Sequence, residues 1–363
     1  MYYAKNILVS AIVLTFSLAL GMEQSVQQPS RTIMAPREHS IPMLFVLHKV
    51  YNFNNPNGYR HVPEPSDVSG ANGILTGEFI NNEDCVVADA SGGLHVVGRE
   101  KEKAVRLGGF TNLWTESAVL TRNAREPQPV AFASPGEAGI SILKLNKGGT
   151  GICGFLKDGA KGFNAIAGQD NNLFAAAGNE VSLWDVEAQQ KKYGWTCSDS
   201  ATFNALRTMG TLVLAANDEG QVMIFDSEEE REVANFTAPA KPWPVAVTLS
   251  NGCRYVAFGG IGTGASYVFD VGTRKLLHVL GGDENKTGAG AIALEFSADA
   301  RQLISGAINR SKSTICRWDI ATGEKIGSQT IPLLNVCRII ISPELDFCLA
   351  GNGDESCVID LEK

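Results

Sequence analysis

The stretch Val181–Trp195, VSLWDVEAQQKKYGW, is a short apolar run closed by Trp184-Asp185, a polar turn and a second run. Alone it describes any β-hairpin. Its meaning depends on recurrence, because a Trp-Asp pair carries weight only at a fixed period. Downstream stand VMIFDSEEEREVANF (222–236), SYVFDVGTRKLLHVL (266–280), TICRWDIATGEKIG (314–327) and SCVIDLEK (356–363). Each places an Asp after an apolar or aromatic residue: Asp185, Asp226, Asp270, Asp319 and Asp360, at steps of 41, 44, 49 and 41 residues. Two upstream copies keep the frame without the Asp, with Gly98 and Lys144 in its slot, which makes seven units.

Every unit carries the same material before its slot. An apolar strand such as AIALEFS or PVAVTLS leads through a turn to a strand ending in small residues, such as LFAAAGN, LVLAAND or YVAFGG. A tight loop then enters the Asp-bearing strand, and a turn and a fourth strand follow. Four short strands in about 40–45 residues correspond to one β-propeller blade. Small second-strand residues let twisted sheets pack face to face. A single blade buries neither face, so the ring has to close. The expected architecture is all-β: a seven-bladed propeller of four-stranded antiparallel blades over residues 41–363.

These residues resemble the WD-repeat family of seven-bladed propellers. The resemblance rests on Trp184-Asp185, Trp318-Asp319, Phe225-Asp226, Phe269-Asp270, Ile359-Asp360 and the period. The Gly-His dipeptide that usually opens a WD unit is missing throughout, so the family's complete Asp–His–Ser/Thr–Trp hydrogen-bond network is not expected here. Quinoprotein-like propeller repeats share the same pattern and remain open as the relevant superfamily.

The last unit ends at Lys363, three residues beyond its Asp, too soon for a fourth strand. A spare strand lies at the other end, IPMLFVLHKVYNF (41–53). Met43 to Val50 is therefore expected to pair with Cys357 to Leu361, closing the ring and covering two sheet edges. Ahead of it, Lys5 and the uncharged run Ile7 to Leu20 read as a signal peptide, too short for a span of ~20 residues. Ala19 and Gly21 place cleavage after Gly21. Residues 22–40 form a polar tether, and the mature protein is expected to be exported, periplasmic or secreted. The first cysteine is Cys85, so no lipoprotein cysteine follows the apolar run.

The formal charge is −8, and Lys and Arg form no dense stripe, so neither nucleic acid nor an anionic membrane is the expected partner. The five histidines share no metal-ligand spacing, and there is no C-x-x-C, G-x-S-x-G or P-loop. GGIGTGAS (259–266) imitates a phosphate loop but joins two strands, so it reads as a hairpin. No cofactor, metal or catalytic residue is expected. The leading function is a monomeric, non-catalytic interaction propeller, or scaffold, that binds a protein or peptide. The alternative is an exported propeller enzyme, a lactonase-like hydrolase or quinone-dependent dehydrogenase.

Two further expectations concern particular residues. In CLAGNGDESC (348–357), Asn352-Gly353 signals a two-residue type I′ turn, which sets Cys348 opposite Cys357 on a non-hydrogen-bonded pair. An exported chain then permits a Cys348–Cys357 disulfide. The loops between second and third strands place Glu137, Glu180, Asp218, Glu219, Asp354 and Glu355 on one face, with Arg310 and Lys312 as a basic exception. The loops between units add Trp114 and Trp243 to that face. Acidic groups around two aromatic anchors suit a basic or amphipathic polypeptide segment.

Overall fold

The computed structural model describes Lys49–Tyr51, Tyr59–His61 and, with short gaps, residues 74 to 361. The signal segment and tether lie outside the described residues. The chain is all-β, and its one helical element among the described residues is a 3-10 turn at Asn251–Cys253.

Strands follow one another as antiparallel neighbours. Sheet 1 holds Ile74–Phe79, Asp84–Asp89, Gly93–Gly98 and Val105–Gly109, and sheet 2 holds Glu116–Val119, Pro129–Ala133, Ile140–Asn146 and Gly149–Leu156. Sheet 3 holds Ala165–Gln169, Asn172–Ala177, Glu180–Asp185 and Gln190–Thr196, and sheet 4 holds Phe203–Met209, Leu212–Asn217, Gln221–Asp226 and Arg231–Thr237. Quartet 5 (Trp243–Leu249, Tyr255–Ile261, Ala265–Asp270, Lys275–Gly281) and quartet 6 (Gly290–Phe296, Gln302–Ile308, Ser313–Asp319, Lys325–Ile331) are joined into one eight-stranded sheet by a single bridge, Ile261 to Gly290. Sheet 7 holds Arg338–Ile341, Phe347–Gly351 and Ser356–Asp360. GGIGTGAS is a hairpin connection, with Gly259 facing Ser266.

The N-terminal strand does meet the C-terminal one. Val50 pairs with Val358 and Tyr51 with Ile359, and Tyr59–His61 then adds to the outside. The pairing is parallel, so it does not complete an antiparallel quartet. Met43 to His48 of the expected closing strand lie outside the described residues.

The core lies between sheets rather than within one. Ala205, Leu214 and Phe236 of sheet 4 pack with Val247, Phe258 and Tyr267 of quartet 5. Ile304 and Ile315 of quartet 6 pack with Ile339, Cys348 and Ile359 of sheet 7. The first strands neighbour one another in chain order, and Arg338–Ile341 lies against Ile74–Phe79, so the last sheet touches the first. There Phe79, Cys85 and Val87 share a cluster with Ile340, Phe347 and Val358.

The small second-strand residues have the expected consequence. A Cβ on Gly306 would lie 2.8 Å from Ile339 Cδ1 of the next sheet, so only glycine admits that neighbour.

The recurrent Asp has a local task. Asp185 Oδ1 accepts from Ala188 N at 2.9 Å, Asp226 Oδ1 from Glu228 N at 2.9 Å and Glu229 N at 3.0 Å, Asp270 Oδ1 from Thr273 N at 2.7 Å, and Asp319 Oδ1 from Thr322 N at 2.8 Å. Each carboxylate caps the turn between its third and fourth strands, an Asx-type role. The residue four positions on is left-handed in all four turns: Gln189, Glu230, Arg274 and Gly323 have φ of 52°, 51°, 58° and 74°. A four-residue hairpin loop built on a type I turn accounts for both features.

Backbone N–H donors are the foremost reason that all four carboxyls titrate below the ordinary aspartate range. Because the folded values are depressed, their stabilisation is complete above the unfolded value near pH 4 and is lost as pH falls through the folded values. The denaturant midpoint should therefore fall progressively below about pH 4. Replacing all four with Asn, which keeps the Oδ1 acceptor, should flatten that fall. An unchanged pH profile in the fourfold variant would remove the turns as its source.

Candidate functional site

Hydrogen bonds between the two kinds of loop gather one end of the sheets into a face. Cys197 N donates to Asn179 O at 2.9 Å, Asp218 N to Thr202 O at 3.0 Å, and Ala238 N to Gly220 O at 2.8 Å. The first and third bonds tie a turn between second and third strands to the connection leading into the next sheet, and the second ties such a turn to the connection leading into its own sheet. The third joins the turn carrying Asp218 and Glu219 to the loop that leads into Trp243. Trp243 opens its strand half-buried, paired with Ile261, after exposed Lys241 and buried Pro242.

The acidic groups on this face are engaged. Asp218 Oδ1 accepts from Thr202 N at 2.8 Å, and Glu219 Oε1 accepts from Ser200 Oγ at 2.7 Å. Beneath them, buried Asn217 accepts from Glu219 N and Gln221 N, both at 3.1 Å. Glu180 pairs with Lys191 at 2.6 Å. These side chains therefore build the loops as well as charging them. Cys197 stands half-buried beside this network, and burial pushes its thiol up to about 11, which keeps it protonated and unreactive at neutral pH. Trp114, Glu137, Arg310, Lys312, Asp354 and Glu355 lie outside the described residues.

The last hairpin corrects the cysteine register. Gly351 faces Ser356, so residues 352–355 form a four-residue connection rather than an Asn-Gly two-residue turn. Cys348 consequently faces Ile359, and Cys357 faces Ala350, a displacement of two positions. The two cysteines share a face as diagonal neighbours, where Cα atoms are about 7–8 Å apart and beyond ordinary disulfide reach. Both are buried and not bonded to each other.

The sequence reading overlooked a second constellation. Glu78, Arg207 and Glu295 occupy one register position in three first strands, facing Val86, Leu214 and Ile304 respectively. Arg207 Nη2 reaches Glu295 Oε2 at 2.5 Å, from sheet 4 to quartet 6. Glu295 foremost, and Glu78 with it, hold the guanidinium pKa up against the burial that lowers it. The residues lie toward the turns opposite the loop face. Their signal was legible in LTGEF, ALRTM and ALEFS, where a charge interrupts an otherwise apolar strand. Arg207 and Glu295 thus form a part-buried ion pair that links two sheets across quartet 5.

The Trp residues of the Trp-Asp pairs bond to serine. Trp184 Nε1 donates to Ser182 Oγ at 2.8 Å, and Trp318 Nε1 donates to Ser305 Oγ at 2.8 Å. His278 Nε2 meets Ile320 O of the neighbouring quartet at 2.8 Å. Among the described residues no three His, Cys, Asp or Glu side chains gather as metal ligands. No family model matches the chain, and the search of curated proteins finds no match.

Proposed function

We propose that the mature chain is a non-catalytic, exported seven-bladed β-propeller of WD-like type that presents its loop face to a polypeptide partner. The observation that carries the reading is the joined loop face, where Trp243 enters beside the turn holding Asp218 and Glu219. The first-strand order and the contact of last sheet with first support ring closure. The two Trp–Ser bonds support the WD-like comparison. The partner is a basic or amphipathic segment, because loops charged by carboxylates around an aromatic anchor attract cations and bury apolar surface. Export rests on residues 1–21, and the chain acts as a monomer.

Trp243→Ala should weaken capture of the natural partner, identified by crosslinking in the exported fraction, by about 1–2 kcal/mol or more. Asp218→Asn together with Asp354→Asn should mainly slow association and reduce its salt dependence. Unchanged capture by both variants, with the fold intact, would move the site off this face.

A further inference from the structure

We infer that the outer edge of Lys275–Gly281, with Ile326 beside it, is a docking strand for an extended acidic and apolar polypeptide segment. This surface is separate from the loop face. Fourth strands lie at the ends of their sheets, with one edge unpaired among the described residues. Natural sheets blunt such edges with charge. The fourth strands QKKYGWT and REVANFT are polar or charged along their exposed positions, whereas KIGSQTI exposes Ile326 and the fourth strand of quartet 5 reads KLLHVLG.

Three large apolar side chains are exposed among the described residues: Leu277 at 39%, Val279 at 51% and Ile326 at 51%. Leu277 and Ile326 occupy the same position, the extra residue of the bulge that each fourth strand makes after its turn. In sheet 3 that residue is Lys192, paired with Asp185 at 3.0 Å. His278 of the first strand meets Ile320 O in the turn that precedes Lys325–Ile331, and a Cβ on Gly323 of that turn would lie 2.5 Å from His278 Nδ1. Three apolar groups therefore stand on neighbouring outer strands instead of scattering singly over the surface.

Charge selects the occupant. Arg274, Lys275 and Lys325 flank these residues and form no ion pair among the described residues, whereas Lys191, Lys192, Arg231, Arg254 and Arg301 each meet a carboxylate. Arg274 donates to the neutral Val233 carbonyl at 3.3 Å. Asp319 and Glu324 are the acids of the adjoining turn, and Asp270, which caps the turn holding Arg274, is met by Arg254 at 3.8 Å. On a chain of net charge −8, this is a local basic rim around exposed aliphatics. An added strand would satisfy the open backbone edge and set alternate apolar residues on Leu277 and Val279. Its carboxylates would meet Arg274, Lys275 and Lys325.

The test uses the whole mature chain and two synthetic ten-residue probes, one alternating Glu with Ile and the other Lys with Ile. The Glu–Ile probe should bind and slow amide exchange across residues 275–281 by about tenfold or more, while the Lys–Ile probe should not. Leu277→Lys/Val279→Lys and Arg274→Glu/Lys275→Glu, all at exposed positions, should each weaken Glu–Ile binding by about tenfold or more. Trp243→Ala should leave it unchanged, which separates this surface from the loop face. Failure of the Glu–Ile probe to bind, equal binding of both probes, protection elsewhere, or full binding by either double variant would overturn the inference.

Discussion

Gly260→Ala is expected to destabilise the chain by about 3 kcal/mol or more, at the upper end of overpacking effects. A Cβ built on Gly260 falls 1.8 Å from Trp243 O, 2.4 Å from Trp243 C and 2.7 Å from Pro244 Cα. All three atoms are backbone, so no rotamer change relieves the overlap. The only release is separation of Trp243–Leu249 from Tyr255–Ile261, next to the ladder irregularity between Pro244 and Ala246. The same movement would shift Ile261, whose bridge to Gly290 joins quartets 5 and 6. Gly327→Ala is the matched control, because its Cβ would meet nothing closer than Arg317 Cβ at 3.8 Å. Urea unfolding of both variants should show a large loss for the first and almost none for the second.

The second large effect is expected at the meeting of the last sheet with the first. Phe347 is 1% exposed, and its ring lies 5.4 Å from that of Phe79 at 76°, an edge-to-face contact. Phe347→Ala should cost about 3–5 kcal/mol, the range for emptying a buried aromatic site. The clustered neighbours Cys85, Val97, Leu349 and Val358 are set by strand ladders from both sheets, which limits collapse into the cavity. A loss under about 1 kcal/mol would mean that Phe347 is not held between two sheets.

Much of the β organisation was legible before any coordinates. The slot residues Asp185, Asp226, Asp270 and Asp319 end third strands, and the small residues before them face neighbouring sheets, because the period and the alanine and glycine runs record a packing requirement. The exact task of the Asp was not legible. A carboxylate before a polar tetrapeptide is compatible with a turn cap or a longer network, and only the bonds to residues two or three positions on decide between them. The last hairpin register was misread because Asn-Gly is a strong local turn signal. Ladder pairing of Leu349 with Val358 and Cys348 with Ile359 overrides it and lengthens the loop. The Arg207–Glu295 pair escaped attention for a different reason. Its partners are 88 residues apart, and sequence spacing carries no sign of a contact that skips an entire quartet.

The proposed ring closure requires the first and last sheets to hold each other in contact. A double-mutant cycle between Phe79→Ala and Phe347→Ala measures this contact directly, since the two residues stand at opposite ends of the folded repeat region. A closed ring predicts a favourable coupling of about 0.5–1.5 kcal/mol, the value of an aromatic pair beyond its buried area. Strictly additive losses, with coupling near zero, would contradict closure and leave the chain an open array.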